Sequence, residues 1–187
     1  MHTMTTKTSK NRLMHFLLVA LLLSGCSGTP NTVQPVTPFE LASYLGDWHE
    51  IARLDHRFER GLTEVTASYS LRDDGGVRVL NRGYHANRDE WREAEGRAYF
   101  VDDSNTGKLK VSFFGPFFAS YNIAKLEPDY SMALVVGHNL NYAWILARSP
   151  KPDRQLCQAY LQKARDIGVD TEALIWLSDC VTTTIPD

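Results

Sequence analysis

Cysteine is scarce in this chain: three occur among 187 residues, at positions 26, 157 and 180. Neither of the last two has a second Cys or a His at metal-ligand spacing, so no metal site is expected. Long apolar runs are also missing. The strongest, "LMHFLLVALLL" at 13–23, is too short for a comfortable membrane span. Positive charge does not dominate either. Lys and Arg number 20 against 22 Asp and Glu, with no basic stripe, which argues against a nucleic-acid partner. There is no G-x-S-x-G elbow, no P-loop and no H-E-x-x-H, and His49, His56, His85 and His138 are scattered. No catalytic residue and no cofactor are assigned on these grounds.

What is present begins with a leader. Lys7, Lys10 and Arg12 precede the apolar run, which ends in Leu23-Ser24-Gly25-Cys26. Basic residues, a short apolar stretch and a small-residue ending are the layout of a secretory signal. The ending resembles a bacterial lipobox, in which the Cys thiol is acylated with palmitate-type chains and becomes the mature N-terminus. The alternative is an ordinary signal with a chance Cys. Two or more acyl chains on Cys26 would anchor the protein durably, which one chain does not. Ser27 is not the acidic residue that resembles an inner-membrane retention signal, so the outer membrane, facing the periplasm, is expected. The reading divides the chain into a signal peptide 1–25, a lipidated N-terminus and flexible tether 26–38, and a folded domain 39–187. Without 1–25 the chain carries 17 basic residues against 22 acidic ones, a net charge of −5.

From Asp47 to Arg148 the chain is a succession of short strand-like runs separated by turn signals. "VTASYSL" and "VRVLNRGY" flank "RDDGG"; "EWREAEGRAYFV" and "KLKVSFF" flank "DDSNTG"; "YNIAKL" and "MALVVGH" flank "EPDYS". With "DWHEIARL" and "YAWILAR" the count is eight. No helix long enough for a parallel crossover interrupts them, so the order is up-and-down. Alternation gives each strand one apolar and one wet face. Eight such strands closing on themselves form an all-β, antiparallel up-and-down barrel with no edges and room for one small ligand. The inward set is rich in small residues, among them Ala67, Ala94, Gly96 and Ala98, which favours a cavity over a filled core.

"SPKPDRQLCQAYLQKARDIGVD" reads as a helix with Asp153 as its cap and Gly168 as its stop. "ALIWLSD" after it suggests a short ninth strand. Both faces of "DWHEIARL" and "YAWILAR" are apolar, which a helix packed outside the barrel over those strands explains. Cys157 lies in the helix's first turns and Cys180 follows the ninth strand. The helix from 157 to 168 covers about 16 Å. An extended return from Leu174 covers about 20 Å, which brings the thiols to one end. A Cys157–Cys180 disulfide is expected in an oxidising compartment, the alternative being two separate buried thiols.

Three segments resemble the lipocalin family: "LGDWHEIAR" at 45–53, "PDYSMALVVGH", and "WILARSP". "HRFERGLTEVTASYSL", "VLNRGYH", "EGRAYF" and "LKVSFFGPF" are similar to its bacterial outer-membrane lipoprotein branch, with the apolipoprotein D group a more distant likeness. The resemblance implies that Trp48 and Arg148 pack together at the closed end as a structural pair. It implies a calyx for fatty acids or lysophospholipids, tied to envelope maintenance under stress. The expected calyx lining is Ala52, Ala67, Tyr69, Val79, Asn81, Ala98 and Val111, with Phe113, Tyr121, Ile123, Val135, Tyr142 and Trp144. The expected mouth is Arg57, Phe58 and Arg60 from one loop, and Phe114, Phe117 and Phe118 from another. An apolar rim there receives an acyl chain, touches a bilayer, or buries itself in a second copy as a homodimer; local packing against Phe58 is the plainer account. Arg57 and Arg60 suit a phosphate or carboxylate headgroup, unless Asp55 and Glu59 offset them. Glu50 is expected to face inward with Asn81 and Tyr142 as candidate partners. The other functional classes are a lipid-modifying enzyme using the calyx and a structural envelope lipoprotein without ligand.

Overall fold

A computed structural model describes residues 28–180. The leader 1–25 and the lipobox Cys26 lie outside the described residues. A one-turn helix α1 (Leu41–Tyr44) leads into eight strands. These are β1 (Gly46–Leu54), β2 (Leu62–Leu71), β3 (Val77–His85), β4 (Glu90–Phe100), β5 (Lys108–Ser112), β6 (Ala119–Leu126), β7 (Met132–Val136) and β8 (Ala143–Ala147). Helix α2 (Arg154–Asp166) and a short β9 (Leu174–Trp176) follow. Every neighbouring pair is antiparallel, and β1 pairs with both β8 and β2, closing an up-and-down barrel. The first half of β1 pairs with β2 through Gly46–His49. Where β2 departs, β9 takes over the same edge opposite Ala52–Leu54.

The loops at 55–61, 86–89, 113–118 and 137–142 ring one end, and those at 72–76, 101–107 and 127–131 ring the other. The second end is closed. Alternation produces two cores, one inside the barrel around Trp48, Tyr69, Val79 and Val135, and one between the barrel and α2. Asp153 caps α2 by accepting from Gln155 N and Leu156 N at 2.8 and 3.1 Å, satisfying donors that a helix start leaves unpaired. Tyr160, Ala164 and Ile167 bury the helix's apolar face over β7, β8 and β1, and Tyr160 Oη donates to Met132 O at 2.6 Å. Cys157 and Cys180 form a disulfide with Cα atoms 5.9 Å apart, an ordinary span for such a bridge.

Two expectations from sequence need correction. Residues 29–38 are not a free tether, because they pack along the outside of the barrel. Thr29 Oγ1 donates to Asn122 Oδ1, Thr32 Oγ1 donates to Ile167 O, and Val33 is buried under α2. Val36 N then bonds Ile123 O, and Phe39 N bonds Asn105 O at the closed end. The second correction concerns β1. Its register against β8 shifts between Glu50 and Ala52. A bulge inserts one residue, so the alternation beyond it reverses. Ala52 faces α2 rather than the cavity, alongside Ile51, and Arg53 faces in.

Candidate functional site

The barrel encloses a cavity of about 920 Å³, at the upper end of the range for sites that bury a small organic molecule. Its walls carry Ala67, Val79, Ala98, Val111 and Val135, with Phe113 folded in from β5's end. Gly96 permits that fold: a Cβ there would lie 2.9 Å from the Phe113 ring. So Gly96 does not leave empty volume, and Phe113 fills it. Ile123 is the other misplaced lining residue. It points inward but lies below the cavity, packed with Gly107 and Val36 near the closed end. The register of β6 against β7 shifts between Ile123 and Lys125, which no residue type at those positions signals.

The floor is made of phenols. Tyr121 Oη lies 2.7 Å from Tyr44 Oη and 2.8 Å from Tyr69 Oη. Burial pushes all three pKa values up, so the cluster stays neutral and satisfies its own hydrogen bonds. Beneath it Trp48 is fully buried, its Nε1 donating to Tyr44 O at 2.9 Å. The Arg148 guanidinium lies 4.0 Å from the indole centroid. It donates to Asp47 O, Ser43 O and Leu45 O at 2.8–2.9 Å. Stacking of this kind adds about 1 kcal/mol or more where it is desolvated, and the hydrogen bonds fix α1 as a plug.

The wall nearest β1 and β8 is charged. Arg53, 2% exposed, donates through Nη1 to Glu50 Oε1 at 2.6 Å. Its Nη2 reaches Glu59 O and Leu62 O at 2.9 and 3.1 Å, so it also pins the 55–61 loop. Glu59 turns inward, with His56 Nε2 at 2.8 Å and Trp144 Nε1 donating at 3.1 Å. Burial, then the Glu59 charge, raise the pKa of Glu50 to about 8 against the pull of Arg53. Burial also acts to raise Glu59, but His56 and the Trp144 N–H outweigh it and hold Glu59 below its ordinary value. Glu50 therefore pairs with Arg53, not with Asn81 or Tyr142 as the sequence suggested. Asn81 lines the cavity with its buried Oδ1 lacking a hydrogen bond, and Tyr142 stacks on Trp144.

The mouth residues separate into two groups. Arg60 is held by Asp55 at 2.6 Å and does not reach the cavity, which removes it as a headgroup ligand. Arg57 lines the opening and lies 4.7 Å from the Phe58 ring centroid. Phe58 stacks loosely on Phe114, with centroids 6.5 Å apart, and Phe118 lies against Tyr99. Contact with Phe58 does not bury the rim: Phe58, Phe114 and Phe117 remain 59%, 70% and 77% exposed. Sequence reasoning missed Arg53, Glu59 and Tyr44. The bulge hid the first, the second read as surface charge, and the third lies before the first strand.

The model of the Lipocalin-like domain family matches residues 39–179. The chain is 50% identical to "Outer membrane lipoprotein Blc" of Vibrio cholerae over 167 residues, covering 89% of this chain and 98% of that one. It is 33% identical to rat apolipoprotein D over 144 residues, covering 70% and 73% of the two chains. Insecticyanin from the tobacco hornworm superposes with a TM-score of 0.64 at 21% identity, over 80% of this chain and 85% of that one.

Proposed function

The chain belongs to the lipocalin family, and from that premise we propose that it holds single-chain lipids, fatty acids or lysophospholipids, in its calyx at the outer membrane. The carrying observation is the mainly apolar well of about 920 Å³, its charges confined to the wall by β1 and β8, closed below by neutral phenols and open at one end. An acyl chain needs such a well and no polar partner along its length. Burying about 16 methylenes at about 0.8 kcal/mol each yields roughly 13 kcal/mol gross. Association and ordering cost on the order of 4–15 kcal/mol. With the cost at the low end of that range, about 4–5 kcal/mol, the net of roughly 8–9 kcal/mol corresponds to submicromolar to micromolar binding. The name of the Vibrio relative and the lipobox support lipid anchoring through Cys26. The reading includes storage or transport of lipids for envelope maintenance, by binding rather than catalysis.

Ala67 and Ala98 are buried in the wall, so Ala98→Trp and Ala67→Trp place an indole in the lipid's volume. Each variant is expected to keep its fold by circular dichroism and to lose lysophospholipid binding at least tenfold by titration calorimetry. Unchanged binding in both would remove the calyx as the site. Hydrolysis of the lysophospholipid by the wild-type protein, followed by mass spectrometry, would favour the enzyme alternative. Failure of every single-chain lipid to bind would favour a structural lipoprotein without ligand.

A further inference from the structure

We infer that the charged wall of the calyx is a subsite for a primary ammonium, so that the bound lipid carries an amine at its polar end, held by Glu50 and Glu59. This rests on the calyx reading above and adds to it the chemistry of the group that the wall recognises.

Glu50 on β1 and Glu59 on the 55–61 loop both line the cavity, and they hydrogen-bond each other. Two carboxyls in such contact require a proton or another cation beside them. The groups facing them are Arg53 from β1, His56 from the 55–61 loop and the Trp144 N–H from β8. Arg53 is the one permanent cation of this set. Its Nη atoms are engaged by Glu50 Oε1 and by the Glu59 and Leu62 carbonyls, and it does not line the cavity. Its charge offsets one carboxylate of the two. A proton on Glu50 covers the second, in keeping with a pKa raised by burial first and by Glu59 second. An ammonium arriving from the cavity supplies the same charge and donates to both carboxylates. The proton on Glu50 then leaves to solvent.

Unpaired atoms in the cavity point to the same ligand. Buried polar groups without a partner are few in a native fold, and each calls for an explanation. Among the described residues, His56 and Asn81 are the cavity-lining side chains that hold such atoms. Asn81 presents Oδ1, an acceptor. His56 meets Glu59 Oε2 through Nε2 at 2.8 Å. In the neutral ring a proton on Nε2 leaves Nδ1 as an acceptor. Both residues therefore call for donors, which an ammonium has and a carboxylate lacks. The Trp144 and Tyr142 rings, 5.2 and 6.1 Å from the His56 ring, line the cavity beside it, and aromatic faces attract cations. Arg57, one residue from His56, also lines the opening and makes no ion pair among the described residues. In an ethanolamine lysophospholipid, two carbons separate the ammonium from the phosphate oxygen, so Arg57 is placed to meet that phosphate. A long-chain alkylamine brings the same ammonium without the phosphate.

The test compares two pairs of ligands, matched in chain length within each pair, by titration calorimetry. Lysophosphatidylethanolamine is expected to bind at least tenfold tighter than lysophosphatidylglycerol, and dodecylamine at least tenfold tighter than dodecanoate. Glu59→Gln, its fold checked by circular dichroism, is expected to bring both ratios near one. Titrations of the amines at pH 7 in buffers of differing ionisation enthalpy are expected to show release of about one proton from the wild type. Glu50→Gln is expected to bind the amines more weakly and to release none. A preference found only in the lysophospholipid pair and lost in Glu59→Gln makes the headgroup the source of the ammonium; one found only in the dodecyl pair makes it a free amine. Equal affinities within both pairs, tighter binding of the anionic members, ratios that survive Glu59→Gln, or no proton release from the wild type overturn the subsite and leave the calyx reading standing. Failure of all four ligands to bind overturns the calyx reading and the subsite with it.

Discussion

The two ends of this barrel use the same residue types in opposite ways. At the closed end, Phe39, Tyr44 and Trp48 form one contiguous cluster, and Arg148 covers the indole while its N–H groups meet three carbonyls. All three rings are buried. At the open end, Phe114 and Phe117 face solvent, while charge lies beneath them in the Glu50, Arg53, His56 and Glu59 wall. The usual order of apolar inside and charged outside is inverted at one end only. Stability is concentrated where water is excluded, which leaves the other end free to present apolar surface and to hold groups whose charge state depends on their neighbours. Packing and binding are thereby separated along the barrel axis.

That separation is broken most forcefully at the plug. Trp48→Ala removes a fully buried indole and leaves Arg148 without its face. The expected cost is about 3–5 kcal/mol, read from the urea midpoint. Phe117→Ala, at the exposed rim, is expected to change stability by less than about 0.5 kcal/mol. Comparable losses in the two variants would refute the division. The outer layer comes next. The Cys157–Cys180 bridge ties the start of α2 to the chain beyond β9. Opening its loop with Cys157→Ser and Cys180→Ser is expected to cost about 3.5 kcal/mol in the chain-entropy model. Lysophospholipid titration should stay unaltered below the melting point. A bridge absent from unreduced peptides, or a loss of binding equal to the loss of stability, would contradict this placement.

Much of this was legible from residue order alone. The two-residue period of "VRVLNRGY" placed Val79 and Asn81 inward. Asp153 and Gly168 bounded α2, and the lipocalin likeness paired Trp48 with Arg148. What escaped has a common physical cause. A β-bulge adds one residue to one strand and reverses every later facing, so Ala52 and Arg53 exchange sides with no marker in composition. Ile123 illustrates the same limit in depth: alternation tells in from out, but not wall from floor. The segment 29–38 looked like linker because it is rich in Pro and Thr, yet its few polar side chains and Val33 find partners on the barrel surface. Charge was misjudged for a related reason, since Glu59 has the composition of a surface loop and only the fold turns it toward His56.

The charged wall offers the smallest and most specific test of the contrast. Glu50 has its pKa raised to about 8 by burial first and by Glu59 second, against about 4.3 in an unfolded chain. The folded protein therefore holds a proton that the unfolded chain gives up through the intervening range. The corresponding stability is fully present below about pH 4.3 and is lost as pH rises through about 8. Inside that window one retained proton changes stability by about 1.4 kcal/mol per pH unit, or about 3–6 °C in Tm for a domain of this size. Raising pH from 6.5 to 7.5 is thus expected to lower Tm by a few degrees in the wild type. Glu50→Gln keeps a neutral side chain beside Arg53 at every pH, so its Tm should be flatter across the same interval. Burial acts to raise Glu59, but His56 and the Trp144 N–H outweigh it and hold Glu59 below its ordinary value, so the comparison of Glu50→Gln with the wild type isolates the Glu50 contribution. Identical slopes in the two proteins would mean that Glu50 is already ionised at pH 6.5. The Arg53 pair would then be a fully charged one, and the open end would hold its charges as firmly as the closed end holds its rings.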